Sequence, residues 1–502
     1  MQWTRDECSA DTRSPREADL LQGLLTRRQL ATRYQAWCLL VIVAFGMAAR
    51  AYQLDYNFDG DELRSVQVAS DPLALLLRRA AGDTGNAPLH VLLLHLWVPV
   101  FGDSEVSARA VSLLASAAFL LVAHAWLRRI VSRPIALCVV AFLALSPHFV
   151  YYGQQARPYS LAALLSVANL LAFQRVAEAP AHRGRLAVWF LLSVLLIYTL
   201  FLGTLLVACE IIVALVLWRR DGRAVAAVGT AAVAALLPWM ALWMSRVRPG
   251  QPPLEGIAWA GLPTLSDFVW FYVHLFGEVP GLQGRWLLAL LAVVALAYVK
   301  RLVASRRITA DELVLLLLGV AVPAFVFAMS LLMQRPFFAG RHMIGSGVAV
   351  MALLGLGLDA FRRGAGVLLA LALIAWSVAG LPNAFPQNAK PPWRDVAAWI
   401  DDRYGSMPVA GGEPWGMRPL IRYRTAGPVL RLPGLGRWRG VTRSQTVGND
   451  ALLFVCRPDI CAQAKALEAR RTLVKTWRWG YGDVAEQGEL RLYEISSLAA
   501  GK

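Results

Sequence analysis

The sequence predicts a polytopic α-helical membrane protein of about eleven transmembrane helices with external interfacial helices, followed by a small α/β extracytoplasmic domain at the C-terminal end. Three observations lead there. Apolar residues make up 57% of the 502-residue chain, above the roughly 45–50% of soluble domains. They recur in stretches of about 18–20 residues, the length at which a helix crosses a bilayer while bonding all its own backbone groups. The basic residues behind the net charge of +17 fall mostly at the ends of those stretches. There they orient helices rather than form a patch for nucleic acid.

The first 33 residues are polar and lack a short apolar core with a small-residue cleavage site. A removable signal peptide is therefore not expected, and residues 1–34 read as a cytoplasmic tail ahead of an uncleaved anchor. Spans are expected near 35–52, 107–126, 134–150, 160–176, 186–200, 202–218, 224–244, 286–303, 312–332, 343–360 and 365–381. The apolar run around 186–218 is too long for one helix, and Gly203 in its middle makes it a hairpin. The stretch "APLHVLLLHLWVPVF" (Ala87–Phe101) is the reverse case. At about fifteen residues, with two histidines and two prolines, it reads as an interfacial helix. Charge supports that choice. With 87–101 left out of the count, Arg128, Arg129, Arg133, Arg183, Arg185, Arg219, Arg220, Arg223, Lys300, Arg301, Arg306, Arg307, Arg362 and Arg363 all fall on the side of the N-terminus. That is the positive-inside pattern, and counting the stretch as a span would invert it.

This map gives a membrane domain over 35–382, whose residues 53–106 form the first external loop. It also gives external connectors at Tyr151–Ser160, about 245–285 and Gln334–His342, and a soluble α/β domain over 383–502. In that domain the apolar runs "PVLRL", "ALLFV" and "LRLYEI" alternate with Pro/Gly turns, and "WRDVAAWIDDRY" has a helical pattern. Cys456 and Cys461 lie close together there. On an oxidising face they are candidates for a disulfide, with two free thiols as the alternative.

Three external stretches carry chemistry. "FDGDELRS" brings Asp59, Asp61 and Glu62 within four residues, just past the first span. Carboxylates near the bilayer suit a general base, a metal ligand or both; a solvated turn is the bland alternative. "YYGQQARPYS" offers Gln154, Gln155, Arg157 and Tyr159 at the membrane surface. A guanidinium fork fits phosphate oxygens, and amides and a phenol suit sugar hydroxyls. An interfacial aromatic belt with a snorkelling arginine accounts for the tyrosines but not for the paired amides. "FFAGRHMI" places Arg341 and His342 at the mouth of the tenth span, where an external arginine suits an anion such as a lipid phosphate. An ordinary loop arginine is the alternative. Glu210, inside a span, is a functional candidate by default, but bonding to a neighbouring helix would serve it equally, and it is left out of the site.

These stretches, in this order and with "APLHVLLLHLWVPVFGDSEVSARAVSLL" between the first two, resemble the polyprenyl-phosphate-sugar-dependent glycosyltransferases of the GT-C class. The bacterial branch of aminoarabinose transferase and relatives of the protein O-mannosyltransferases is the most similar. The resemblance covers about residues 35–380. It implies Asp61 as catalytic base and Glu62 as its partner; by their own chemistry and position Asp59, Gln154, Gln155, Arg157, Tyr159, Arg341 and His342 are expected to line the substrate site. The family's second-loop motif commonly reads Gln-Glu-Ala-Arg, and here Gln155 stands at the glutamate; its interfacial helix commonly opens His-Pro-Pro, and here it opens Asn86-Ala87-Pro88.

The function implied is inverting transfer of a sugar from a polyprenyl-phosphate donor to a lipid, glycan or protein acceptor, at the outer face of a bacterial inner membrane. A divalent metal stays open, with Asp61 and Glu62 as candidate ligands. No nucleotide cofactor is needed, in keeping with the lack of a Gly-rich phosphate loop beside a strand. Two rivals stand beside this reading. A transporter or lipid flippase would place its polar groups near the midplane on broken helices, often in internal repeats; this chain places them at external helix ends and shows no repeat. A non-catalytic relative would instead present its tail domain to a partner.

Overall fold

The computed structural model describes residues 15–81, 87–245, 261–279, 281–282, 284–411, 414–430, 452–456, 471–481 and 484–495. The chain opens with α1 (Pro15–Ala51), then α2 (Gly60–Ala69), α3 (Leu73–Ala81) and α4 (Leu89–Phe101). A helical bundle follows: α5 (Glu105–Leu127), α6 (Arg133–Leu145), α7 (Pro147–Gly153), α8 (Tyr159–Glu178), α9 (Arg183–Ile197), α10 (Gly203–Leu217), α11 (Arg219–Ala234) and α12 (Leu237–Met244). It continues through α13 (Leu265–His274), α14 (Gly284–Ser305), α15 (Ala310–Leu316), α16 (Val322–Leu332), α17 (Ile344–Asp359) and α18 (Arg363–Gly380). Among the described residues, eight helices are long and apolar enough to cross a membrane, or nine if the bent pair α6–α7 counts as one. With α9 and α10, at 15 residues each, each of the eleven expected segments is helical. The chain is a multi-pass membrane protein.

Two elements differ from expectation. The span near 134–150 is broken by 55° at Ser146, because Pro147 has no N–H to continue the ladder. The carbonyls this frees are met by a buried cation: Arg50 donates to Ala144 O at 2.6 Å and Leu143 O at 3.0 Å. The connector near 245–285 also carries a helix, α13, started by a capping box between Thr264 and Asp267.

The connectors gather at two ends of the bundle. At one end Gln154 Nε2 donates to Ala49 O and Tyr52 O, both at 2.9 Å, and Asp61 faces Arg341. At the other, Glu178 pairs with Arg129 and Arg185, Ser132 N–H donates to Asp359 at 3.1 Å, and Arg301 pairs with Glu312. Both termini of α4 lie at the first end. Its Leu89 N–H donates to Tyr198 O in the α9–α10 turn at 2.9 Å, and Gly102 O after its last turn accepts from Ser107 Oγ at 2.8 Å. A helix that starts and stops at one end does not cross, as its length suggested.

Beyond α18 come α19 (Pro386–Ala389), α20 (Trp393–Tyr404), β1 (Val409–Gly411), α21 (Pro414–Tyr423), β2 (Val429–Leu430), β3 (Leu452–Cys456), β4 (Arg471–Tyr481) and β5 (Val484–Ile495). The sheet order is β2-β1-β3-β5-β4. β1 runs parallel to β2 and β3, while β5 runs antiparallel to β3 and β4. Trp393, Val396 and Ile400 of α20, one helical stripe, pack on Leu453, Leu490 and Leu492 of the sheet. Arg424 anchors the turn after α21 by donating to Asp401 Oδ1 at 2.7 Å.

Candidate active site

The first acid decides where the other two point. Asp59 is the N-cap of α2, accepting the N–H groups of Asp61 at 2.9 Å and Glu62 at 2.8 Å, while Glu62 Oε2 accepts the Asp59 N–H at 3.2 Å. This capping box folds Glu62 inward to 0% exposure and leaves the Asp61 side chain 39% exposed. Both acids sit in the first turn, where the helix dipole favours negative charge.

Glu62 is the node of the site. Arg109 of α5 donates bidentately, Nε to Oε1 at 2.9 Å and Nη2 to Oε2 at 2.8 Å. Lys390, itself 2% exposed, donates to Oε2 at 2.7 Å. The Ala156 N–H, in the second external connector, donates to Oε1 at 2.9 Å. Burial opposes the charge, but Arg109 and Lys390 outweigh it and hold the Glu62 carboxyl well below the carboxylate range. Asp59 goes the other way: burial and then the Glu62 charge push its carboxyl up, and Lys390 at 3.9 Å offsets part of that.

The second connector docks on this node. Arg157 Nη1 donates to Asp61 O at 3.2 Å and Ser65 Oγ at 3.0 Å, and its guanidinium lies 5.9 Å from the Tyr159 ring centre. Tyr159 is 1% exposed, stacked edge-on against Tyr152, and its hydroxyl is buried without a partner. Gln155 bonds the Tyr151 hydroxyl. Gln154 is committed to the end of α1 through both amide hydrogens, which makes it framework rather than a donor toward a sugar. The third stretch arrives from across the bundle: Arg341 Nη1 lies 3.6 Å from Asp61 Oδ2, and the His342 ring is 6.3 Å from that of Tyr159.

The structure brings these three stretches together, and sequence reasoning misses what holds them. Arg109 carries a detectable signal, a charge one turn inside an apolar span. Lys390 and Tyr423 carry none, because their partners lie 328 and 365 residues away. His90 was also missed; it is buried, has no partner on either ring nitrogen, and lines a small cavity with Arg64, Ser65, Arg79 and Arg157.

Glu62, one of the two candidate ligands for a metal, is already occupied. Its two oxygens already accept five hydrogen bonds, three of them from the cationic side chains of Arg109 and Lys390, which fills the roughly four lone-pair directions of a carboxylate. Among the described residues no three His, Cys, Asp or Glu side chains are grouped to hold a metal. The residues present do not fit a metal held through Glu62.

No family model matches the sequence, and the search of curated proteins finds no match. Among solved structures, ArnT from Cupriavidus metallidurans bound to undecaprenyl phosphate is similar at a TM-score of 0.52 and 15% identity, over 93% of this chain and 99% of ArnT. The chain has the GT-C fold. The apo form of the same ArnT matches at a TM-score of 0.40 and 16% identity, over 94% of this chain and 100% of that one. The Archaeoglobus fulgidus oligosaccharyltransferase in the apo form matches at 0.49 and 11%, over 79% of this chain and 64% of that one. At these identities the likeness speaks for the fold alone.

Within the GT-C bundle, the charged groups of the site sit at one end and Glu210 does not. It is buried in α10 and accepts from Trp189 Nε1 at 2.9 Å, a helix-to-helix bond inside the membrane region. In the sheet, Cys456 is disulfide-bonded; Cys461 lies outside the described residues.

Proposed function

We propose that this chain is an integral-membrane glycosyltransferase that moves a sugar from a polyprenyl-phosphate donor to a lipid, glycan or protein acceptor at the outer face of the membrane. The observation that carries the reading is the division of labour in one helical turn. Asp59 and Glu62 are consumed by the cap and the buried ion pairs, while the Asp61 side chain faces out, with Arg341 3.6 Å from its carboxylate and Arg157 on its backbone carbonyl. A partly exposed carboxylate beside fixed cations is what proton abstraction next to a departing phosphate requires. That ArnT was solved with undecaprenyl phosphate supports the donor class.

In this mechanism the acceptor O–H or N–H attacks the anomeric carbon. Its proton passes to an Asp61 carboxylate oxygen as the new bond forms. The bond from the anomeric carbon to the phosphate oxygen breaks with its electron pair, and Arg157 and Arg341 offset the charge on the departing polyprenyl phosphate. Attack opposite the leaving group inverts the anomeric centre. Tyr159, His342 and Gln155 line the sugar side, and Asp59 and Glu62 act through position. Residues 35–382 form the catalytic unit and 383–502 a periplasmic domain, with the N-terminus cytoplasmic and Cys456 paired to Cys461.

The test uses the full chain in nanodiscs, a panel of undecaprenyl-phosphate sugars, a membrane lipid extract as acceptor pool, and mass spectrometry of released undecaprenyl phosphate. The parent is expected to release it, and Asp61→Asn to slow release at least about 10²-fold with undecaprenyl phosphate still bound. A parent that only moves the intact donor between leaflets would be a flippase. Parental turnover by Asp61→Asn would move the base elsewhere.

A further inference from the structure

We infer that the segment after the last span completes this active site, with Lys390 and Tyr423 as positioning residues that hold the turn carrying Asp61; the inference rests on the transferase reading above. Residues Asn57 to Asp59 belong to no helix or strand, so their geometry has to come from tertiary contacts. Beside Arg109, which donates to Asn57 O at 3.1 Å and lies over the Phe58 ring, the polar contacts come from the far end of the chain. Asn57 Nδ2 donates to Pro391 O at 3.0 Å. The Phe58 N–H donates to Tyr423 Oη at 2.7 Å. Lys390 reaches Asp59 at 3.9 Å and Glu62 at 2.7 Å, and Arg418 donates to Gly60 O at 3.3 Å. Every residue from 57 to 60, and Glu62, is therefore held from 390–423.

The grip is braced on the bundle as well. The Tyr423 hydroxyl donates to Glu105 Oε1 at 2.6 Å, and Arg394 donates to the same oxygen at 2.9 Å. Glu105 opens α5, the helix whose Arg109 forms the other half of the Glu62 node. Lys390 and Arg109 thus close on one buried carboxylate from two sides, and that carboxylate also takes the Ala156 N–H beside Arg157. The position of the base relative to the phosphate-side arginine is set through this node. A displacement of about 1 Å in a reacting group can cost on the order of 10²-fold in rate, so a group that touches no substrate can still govern turnover.

The experiment compares the full-length parent with Lys390→Met and Tyr423→Phe in nanodiscs. Steady-state release of undecaprenyl phosphate is measured from whichever undecaprenyl-phosphate sugar the parent consumes, and undecaprenyl phosphate affinity is measured separately. Met keeps the length of the lysine stem and removes the charge; Phe deletes one hydroxyl. Expected is a fall in kcat of about 10- to 100-fold in each variant, with KM and undecaprenyl phosphate affinity within a few-fold of the parent. Tyr423→Phe, at a half-buried position, carries the test if Lys390→Met does not fold. Parental kcat in a folded variant overturns the inference, and so does a rise in KM at unchanged kcat, which would make the segment a binding surface. A parent that consumes no donor overturns the transferase reading itself.

Discussion

Asp61 and Glu62 are neighbours in sequence and opposites in environment, one facing out and the other sealed among cations. The sequence shows that three acids share one turn. It does not show which is which, because the burial of Glu62 depends on Arg109 and Lys390, which close on it from 47 and 328 positions away. Asp59 offers a check on that sorting. Its carboxyl is pushed up from 3.8 by burial and by the Glu62 charge, so the folded protein binds that proton more tightly than the unfolded chain does. By linkage, its contribution to stability is fully present below the unfolded value and is lost as pH rises through the folded one. Asp59→Asn keeps an N-cap acceptor and cannot titrate. In detergent, the melting temperature of the parent relative to Asp59→Asn is expected to fall as pH is raised from about 4 to about 8. Parallel curves would mean that Asp59 is not the strained acid of the site.

At the scale of elements, the spans were legible because a helix in lipid must be long, apolar and bounded by charge. The break between α6 and α7 was not, although Pro147 marks it, since prolines inside spans are often tolerated when neighbours satisfy the freed groups. Here the neighbour is Arg50, and it constrains the element that follows. A Cβ on Gly153 would lie 2.7 Å from Arg50 Nε and 2.8 Å from its Cδ. Arg50 cannot swing away without releasing Gly46 O, Ala144 O and Leu143 O. Gly153→Ala is therefore expected to cost about 1–3 kcal/mol, read as a lowered unfolding midpoint, and to displace the connector that carries Arg157. An unchanged midpoint would show that the arginine has room to move. In the sheet, β4 escaped notice because its sequence "RTLVKTWRWGY" mixes basic and apolar residues without a clean alternation, whereas β5 buries Leu490 and Leu492 at a spacing of two.

At the scale of the molecule, the pattern of basic connectors and the pattern of contacts point to the same division. Glu178 and Asp359, which tie together the connectors around Arg129, Arg185 and Ser132, lie at one end. The three acids, Arg157, Arg341 and the segment from Lys390 onward lie at the other. What the sequence could not supply is that this second end is closed by residues more than three hundred positions apart. Periodicity and charge bias are local signals, and such pairs leave no local trace. The division itself yields a prediction about sidedness. The basic connectors around Arg129, Arg185 and Arg301 sit at the end opposite the site, and positive charge favours the cytoplasmic side, so the site is expected to face outward. A reporter fused after Lys502 is expected to be exported, and one fused after Arg220, which follows α10, to stay cytoplasmic. Since α4 starts and stops at the same end, it adds no crossing between the N-terminus and either fusion. An exported Arg220 fusion would mean that the whole bundle inserts with its N-terminus outside, and would place Asp61 and its arginines, which stay together, on the cytoplasmic side, where a different pool of lipid-linked donors would have to supply them.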